Sequence, residues 1–268
     1  MADLSITAAW NEAAAFVRRE ARLLVPVSFM LIALPVGLLQ VLTPQPEPNQ
    51  LPEPGLWLAL IPVALLLSFV GNLAISHLAL SPGASVREAL ERGARRALPM
   101  AGAALIVLAG TLILLFLLLL VIVMIIPGAA AAAAAGAADP AVQKASLIWL
   151  LLCLPILVVL SARLGMMVPA AATVATNPVA IIARSWRLTA GRTAKLAAFV
   201  MLVLVVLSVL SLAVESLIGS LLIVAAGPMQ RGSVSAFLLV LAMAALNTVV
   251  ALYLASLVAR IYVQLDRR

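Results

Sequence analysis

The chain has 268 residues, of which 65% are hydrophobic and only 10% charged, with a mean hydropathy of +1.23. A soluble domain needs about 25% charged residues to clothe its surface, so a water-soluble globule is excluded and most of the exterior faces lipid. The net charge of +7 does not point to nucleic acid, because the bases lie in short clusters between apolar runs, as membrane-flanking residues do.

A helix that crosses the hydrocarbon takes about 20 apolar residues. Six runs qualify, at 23–42, 56–80, 99–126, 146–170, 196–226 and 234–263. None alternates as an outer-membrane strand does, and backbone hydrogen bonding in lipid leaves helices as the remaining solution. The expected fold is therefore all-α: one integral membrane domain over 1–268, a bundle of six transmembrane helices with short amphipathic helices at the cytoplasmic surface. Glu12 and Glu20 precede the first run, and no small-x-small pattern follows Leu42, so that run is expected to be kept as a helix rather than cleaved as a signal peptide.

The first segment, before 23, places Ile6, Trp10, Ala13 and Val17 at three- and four-residue steps, an amphipathic helix. After the first run, Pro44, Pro46, Pro48, Pro52 and Pro54 stiffen an extended loop. Trp57 opens the second run and Trp149 the fourth, where an indole keeps its ring apolar and its N–H wet. Before the third run, Val86, Leu90, Gly93 and Ala97 repeat the amphipathic spacing, and Ser85 with Glu88 forms a capping-box signature. Ala129 to Ala135, between Gly128 and Gly136, is expected to lengthen a helix. Ahead of the fifth run, Asn177 is a good N-cap and Pro178 fits the first helical position. There Val179, Ile182, Ala183 and Trp186 form an apolar face ringed by Arg184, Arg187 and Arg192. Either the chain is three units of interfacial helix plus helical hairpin, with Trp10, Leu90 and Trp186 in comparable places, or each basic segment is amphipathic simply because it lies at a membrane surface.

The loops orient the bundle. Arg18, Arg19 and Arg22, then Arg87, Arg92, Arg95 and Arg96, then Arg184, Arg187, Arg192 and Lys195, and finally Arg267 and Arg268 fall on one side. That makes thirteen bases there, against Lys144 and Arg231 on the other. The positive-inside rule then puts both termini in the cytoplasm. Basic amphipathic helices on that side are expected to meet anionic lipid, with Arg184, Arg187, Arg192, Arg95 and Arg96 as candidate headgroup contacts. A protein partner or a second copy of the chain is the other expected neighbour.

The stretch from Asn177-Pro178 through Ala183-Arg184-Ser185-Trp186-Arg187-Leu188-Thr189-Ala190-Gly191-Arg192, between two spans, resembles the cytoplasmic segment of bacterial inner-membrane proteins related to the glycerophosphoryl diester phosphodiesterase membrane domain. The resemblance implies six helices and a location in the cytoplasmic membrane of a bacterium. It also implies a membrane module without the catalytic barrel, since Arg268 follows closely on the last run.

Candidate chemistry is sparse. His77 is the only histidine, with no carboxylate pair near it in sequence, and no P-loop, zinc spacing, G-x-S-x-G or H-E-x-x-H pattern occurs. No cofactor, no metal and no enzymatic activity is expected of the chain. Intramembrane polar residues are the remaining candidates. Arg163 lies about 10 Å by helical rise from the cytoplasmic end of the fourth run, and Glu215 about 30 Å beyond Lys195. Each is either structural or part of a solute path. Asn72 and Asn247 are candidates for interhelical hydrogen bonds, and Asn247, Ala251, Ala255 and Ala259 form a small-residue stripe. A small-solute or lipid transporter using these polar groups is the alternative to a lipid-interacting protein. Pro35, Pro62 and Pro155 are expected to kink their helices.

Overall fold

The computed structural model describes residues 5–43, 54–81, 83–134, 139–173, 177–228, 230 and 233–266. The proline-rich stretch 44–53, Ala135, Gly136, Arg231, Arg267 and Arg268 lie outside the described residues. Among the described residues every regular element is helical: α1 (Ile6–Leu42), α2 (Leu56–Leu80), α3 (Val86–Ile125), α4 (Ala129–Ala134), α5 (Pro140–Leu164), α6 (Met167–Thr173), α7 (Pro178–Leu188), α8 (Thr193–Ala226) and α9 (Val234–Asp266). Six segments are long and apolar enough to cross a membrane, namely α1, α2, α3, the α5–α6 stretch, α8 and α9. The protein is a multi-pass, all-α integral membrane protein.

Local chemistry sets the helix starts. Ser5, Ser85, Asp139 and Asn177 each accept a backbone N–H of the first turn, at 3.2, 3.1, 2.7 and 3.1 Å respectively, with Pro140 and Pro178 at positions where a missing N–H costs nothing. At Ser85 half of the capping box forms; the Glu88 carboxylate turns forward to Arg92 instead. Two of the three amphipathic segments are not separate helices. The first is continuous with its span in α1, and the second with its span in α3, the helix passing through Pro26 and Pro99. Only the third stands alone, since the chain turns between α7 and α8 at Gly191, whose φ of +77° suits a residue without a Cβ. The alanine run is likewise its own short helix, α4, rather than an extension of α3, because the chain leaves helical geometry at 126–128.

Proline acts unevenly. Around Pro35 the helix widens into a π-helical turn at Phe29–Ala33, where the Leu34 N–H reaches the Phe29 carbonyl. Widening there relieves the clash of the Pro35 ring with the carbonyl four residues earlier. Pro62 and Pro155 sit inside uninterrupted helices.

The first and last spanning helices clasp antiparallel along their length. Ser5 N–H donates to Gln264 Oε1 at 3.2 Å and Gln264 Nε2 returns to the Ser5 carbonyl at 3.3 Å. Farther along, the Ser28 hydroxyl donates to the Thr248 carbonyl at 3.2 Å. The α2–α3 crossing is as close: a Cβ on Gly93 would lie 2.8 Å from the Val70 carbonyl oxygen, so only glycine fits.

The buried residues concentrate at the arginine-rich end. Three adjoining clusters fill it. One joins Ala9 and Ala13 to Met166, Leu196, Leu257 and Ile261; a second joins Phe16 and Leu24 to Ile75, Leu252 and Ala259; a third joins Leu73 and Met100 to Met167, Ala171 and Ile181. The opposite end has one small cluster of Ile122, Ala129 and Ala145, tied by the Trp149 indole N–H to the Leu115 carbonyl at 3.0 Å. Between these, no residue of α3 from 104 to 121 is buried, nor any of α8 from 197 to 218.

Candidate functional site

The charged side chains of the arginine-rich end divide into anchors and free groups. Arg184, on α7, donates from Nε to the Tyr262 hydroxyl at 3.1 Å and from Nη2 to Asp266 Oδ1 at 2.6 Å. The Tyr262 hydroxyl lies a further 3.1 Å from the Thr173 hydroxyl, so α6, α7 and α9 meet at one phenol. The hydrogen bond to Tyr262, followed by the Asp266 carboxylate, pushes the Arg184 guanidinium above its already high range, against the opposing effect of burial. Arg96 donates from Nη1 to the Ala171 carbonyl at 2.5 Å, joining α3 to α6. Both arginines were candidates for headgroup contact; the structure employs both in holding helices together.

Arg95, Arg187 and Arg192 behave differently. Arg95 and Arg187 are exposed and Arg192 half-buried, and among the described residues none of their side chains makes a hydrogen bond or ion pair. Near them, α7 buries Ile181 and Ser185 against the protein while Val179 and Trp186, 62% and 46% exposed, point outward. Of the apolar face read from the sequence, Val179, Ala183 and Trp186 are exposed, while Ile182 packs against the third cluster. Trp10 is likewise 47% exposed, stacked on Tyr253 with centroids 5.7 Å apart, and α1 buries Ala9, Ala13, Phe16 and Val17 instead.

Arg163 lies at a break in its spanning stretch, between α5 and α6. Helix α5 ends at Leu164, so Arg163 occupies its last turn. Its guanidinium sits 5.0 Å over the Trp186 ring and reaches the Trp186 carbonyl at 3.4 Å. Its own carbonyl accepts from the Ser185 hydroxyl at 2.8 Å and the Thr189 hydroxyl at 3.3 Å. A second cation–aromatic contact places Arg260 5.8 Å over Phe16, with Glu12 3.9 Å from the same guanidinium.

The other polar candidates are not brought together. Asn72 donates to the Ser68 carbonyl of its own helix at 2.9 Å, rather than across an interface. Asn247 is exposed, and the buried stripe on α9 runs through Ala244, Thr248, Leu252, Ala255 and Ala259; a shift of one residue at its start moves the amide to the outside. Glu215 is exposed on α8, and no cation pairs with it among the described residues. His77 is buried, with Nδ1 3.4 Å from both the Ser81 hydroxyl and Arg92 Nη1, and Nε2 3.9 Å from Glu88. A guanidinium only donates, so Nδ1 is the acceptor in the Arg92 contact, and Nε2 is buried with no hydrogen-bond partner among the described residues. This cluster welds the end of α2 to the first turns of α3.

Two apolar grooves open to the lipid side. One, of about 510 Å³, runs between α8 and α9 under the first turn of α1, with Trp10 and Tyr253 in its wall. The other, of about 390 Å³, lies between α3 and α5 beside Trp186. Sequence reasoning found Arg163 and Trp186 separately and missed their contact, because they are 23 residues apart and on different helices. Tyr262 and Thr173, unremarkable in an apolar sequence, were missed for the same reason. The chain matches no protein-family model, no curated protein and no solved structure.

Proposed function

We propose that this is a non-catalytic integral membrane protein whose arginine-rich end engages anionic phospholipid headgroups, set in a bacterial cytoplasmic membrane with both termini inside. One observation carries the proposal: Arg95, Arg187 and Arg192 have no protein partner among the described residues, while the neighbouring Val179 and Trp186 face outward from α7. Unpaired guanidinium groups beside exposed aromatic and aliphatic side chains suit the headgroup layer, where each base near an anionic surface contributes about 1 kcal/mol. The uneven distribution of bases supports the orientation. A transport path through Glu215, Asn72 and Asn247 has no observation in its favour, since no hydrogen bond or ion pair joins any two of them among the described residues.

The test is lipid retention on purification. The triple variant Arg95→Gln, Arg187→Gln, Arg192→Gln is expected to retain several-fold less phosphatidylglycerol than the wild type while unfolding at the same temperature. Undiminished retention by the folded triple variant defeats the proposal. The orientation is checked separately with Ser5→Cys and an impermeant thiol reagent: reaction from outside intact cells reverses the assignment.

A further inference from the structure

We propose that the groove between α3 and α5 is a specific lipid site: it holds one acyl chain of an anionic glycerophospholipid whose phosphate sits on the guanidinium of Arg163. This rests on the proposed lipid-facing role and names a site within it. The groove walls are Leu114 of α3, Pro155, Ile156, Val159 and Leu160 of α5, and Trp186 of α7, all apolar. Ile156, Val159, Leu160 and Arg163 follow at three- and four-residue steps, so the cation continues the same helix face that lines the groove. The stripe ends in the charge, and Trp186, which borders the groove, lies directly under that charge at 5.0 Å.

The guanidinium is available to an anion. It has five N–H donors; its one hydrogen bond, to the Trp186 carbonyl, is long at 3.4 Å, and no carboxylate pairs with it among the described residues. A helix C-terminus ordinarily repels anions through its bare carbonyls. Here the Arg163 carbonyl is already occupied by the Ser185 and Thr189 hydroxyls. A planar guanidinium presents two parallel donors to a phosphate, and the indole below it suits the level where chains meet headgroups. An apolar groove with a cation stacked on the ring that borders it is complementary to an anionic amphiphile. The larger groove under Trp10 has no charged residue in its wall and serves as the internal control.

The experiment is native mass spectrometry of the purified full chain in detergent, titrated separately with phosphatidylglycerol, phosphatidylcholine and inorganic phosphate. The wild type is expected to hold one phosphatidylglycerol at least ten-fold more tightly than phosphatidylcholine, and to show no binding of inorganic phosphate at the same concentrations. Arg163→Gln is expected to abolish that preference and Arg163→Lys to keep part of it. Val159→Trp fills the groove from a residue 45% exposed, so the fold is undisturbed; it is expected to remove the tight lipid while all arginines stay in place. Equal affinity of the wild type for the two lipids, or tight phosphatidylglycerol in both Arg163→Gln and Val159→Trp, overturns the site. If the Arg95, Arg187 and Arg192 triple variant loses bulk anionic lipid while Arg163→Gln changes nothing, the site fails and the broader proposal stands. Loss of the tight lipid in Arg163→Gln with an unaffected triple variant has the reverse meaning.

Discussion

The two ends of this molecule are built from equally apolar helices and packed in different ways. At the arginine-rich end, Ala9, Ala13, Ile75, Ala170 and Ile261 are wholly buried, and side chains from most of the helices interlock. Toward the other end, α3 and α8 pass through 18 and 22 consecutive residues, 104–121 and 197–218, with none buried. Helix α1, at 37 residues, is about 55 Å long and α3, at 40, about 60 Å, against a hydrocarbon layer of about 30 Å. The excess of each includes its amphipathic first turns, yet much of the core, Ile75, Leu252 and Ile261 among it, falls within the apolar runs themselves. Inside the lipid the tails are as apolar as leucine, so nothing forces α3 and α8 to close against their neighbours. The dense layer holds the bundle together.

Three substitution pairs bear on that contrast, the largest effect first. Ile261→Ala, at a wholly buried position, is expected to cost about 2–5 kcal/mol of stability, measured by denaturant unfolding in micelles. Leu221→Ala, at a position 68% exposed on α8, is expected to stay within about 0.5 kcal/mol. Comparable losses at the two positions would erase the distinction between the ends. Next, Gly93→Ala forces a Cβ against the Val70 carbonyl and is expected to cost about 1–3 kcal/mol. Gly110→Ala on the same helix meets open space and is expected to leave the melting temperature unchanged or raised. A neutral Gly93→Ala would mean that α2 and α3 do not pack as closely as the structure has them. The smallest effect belongs to Arg184. Its side chain is 28% exposed and that of Asp266 40%, so solvent screening leaves their coupling below about 1 kcal/mol. A double-mutant cycle of Arg184→Gln with Asp266→Asn measures it. A coupling of several kcal/mol would show that this pair, rather than apolar packing, carries the arginine-rich end.

Much of the local structure was legible in the sequence. Ser85, Asn177 and Pro178 mark helix starts through their own hydroxyl, amide or missing N–H, which needs no distant partner. The six spans follow from run length and hydropathy, since a backbone in lipid must satisfy itself within each segment. What failed was the direction each helix faces. Asn247 read as part of a packed stripe that runs through Thr248, and Asn72, read as an interhelical donor, bonds within its own helix. In a helix apolar on every side, composition cannot mark which side meets protein and which meets lipid, because both environments accept the same residues.

The sequence by itself therefore determined that the chain is a helical membrane protein, how often it crosses, and where its bases gather. Only the tertiary structure decided which bases are anchors and which are free. Arg184 and Arg96 are held by Tyr262, Asp266 and the Ala171 carbonyl, which come from 75 or more residues away. Arg163 meets Trp186 at the mouth of a groove for a like reason. An arginine's role depends on whether an acceptor lies within hydrogen-bonding reach in space, and separation along the chain carries no record of that distance.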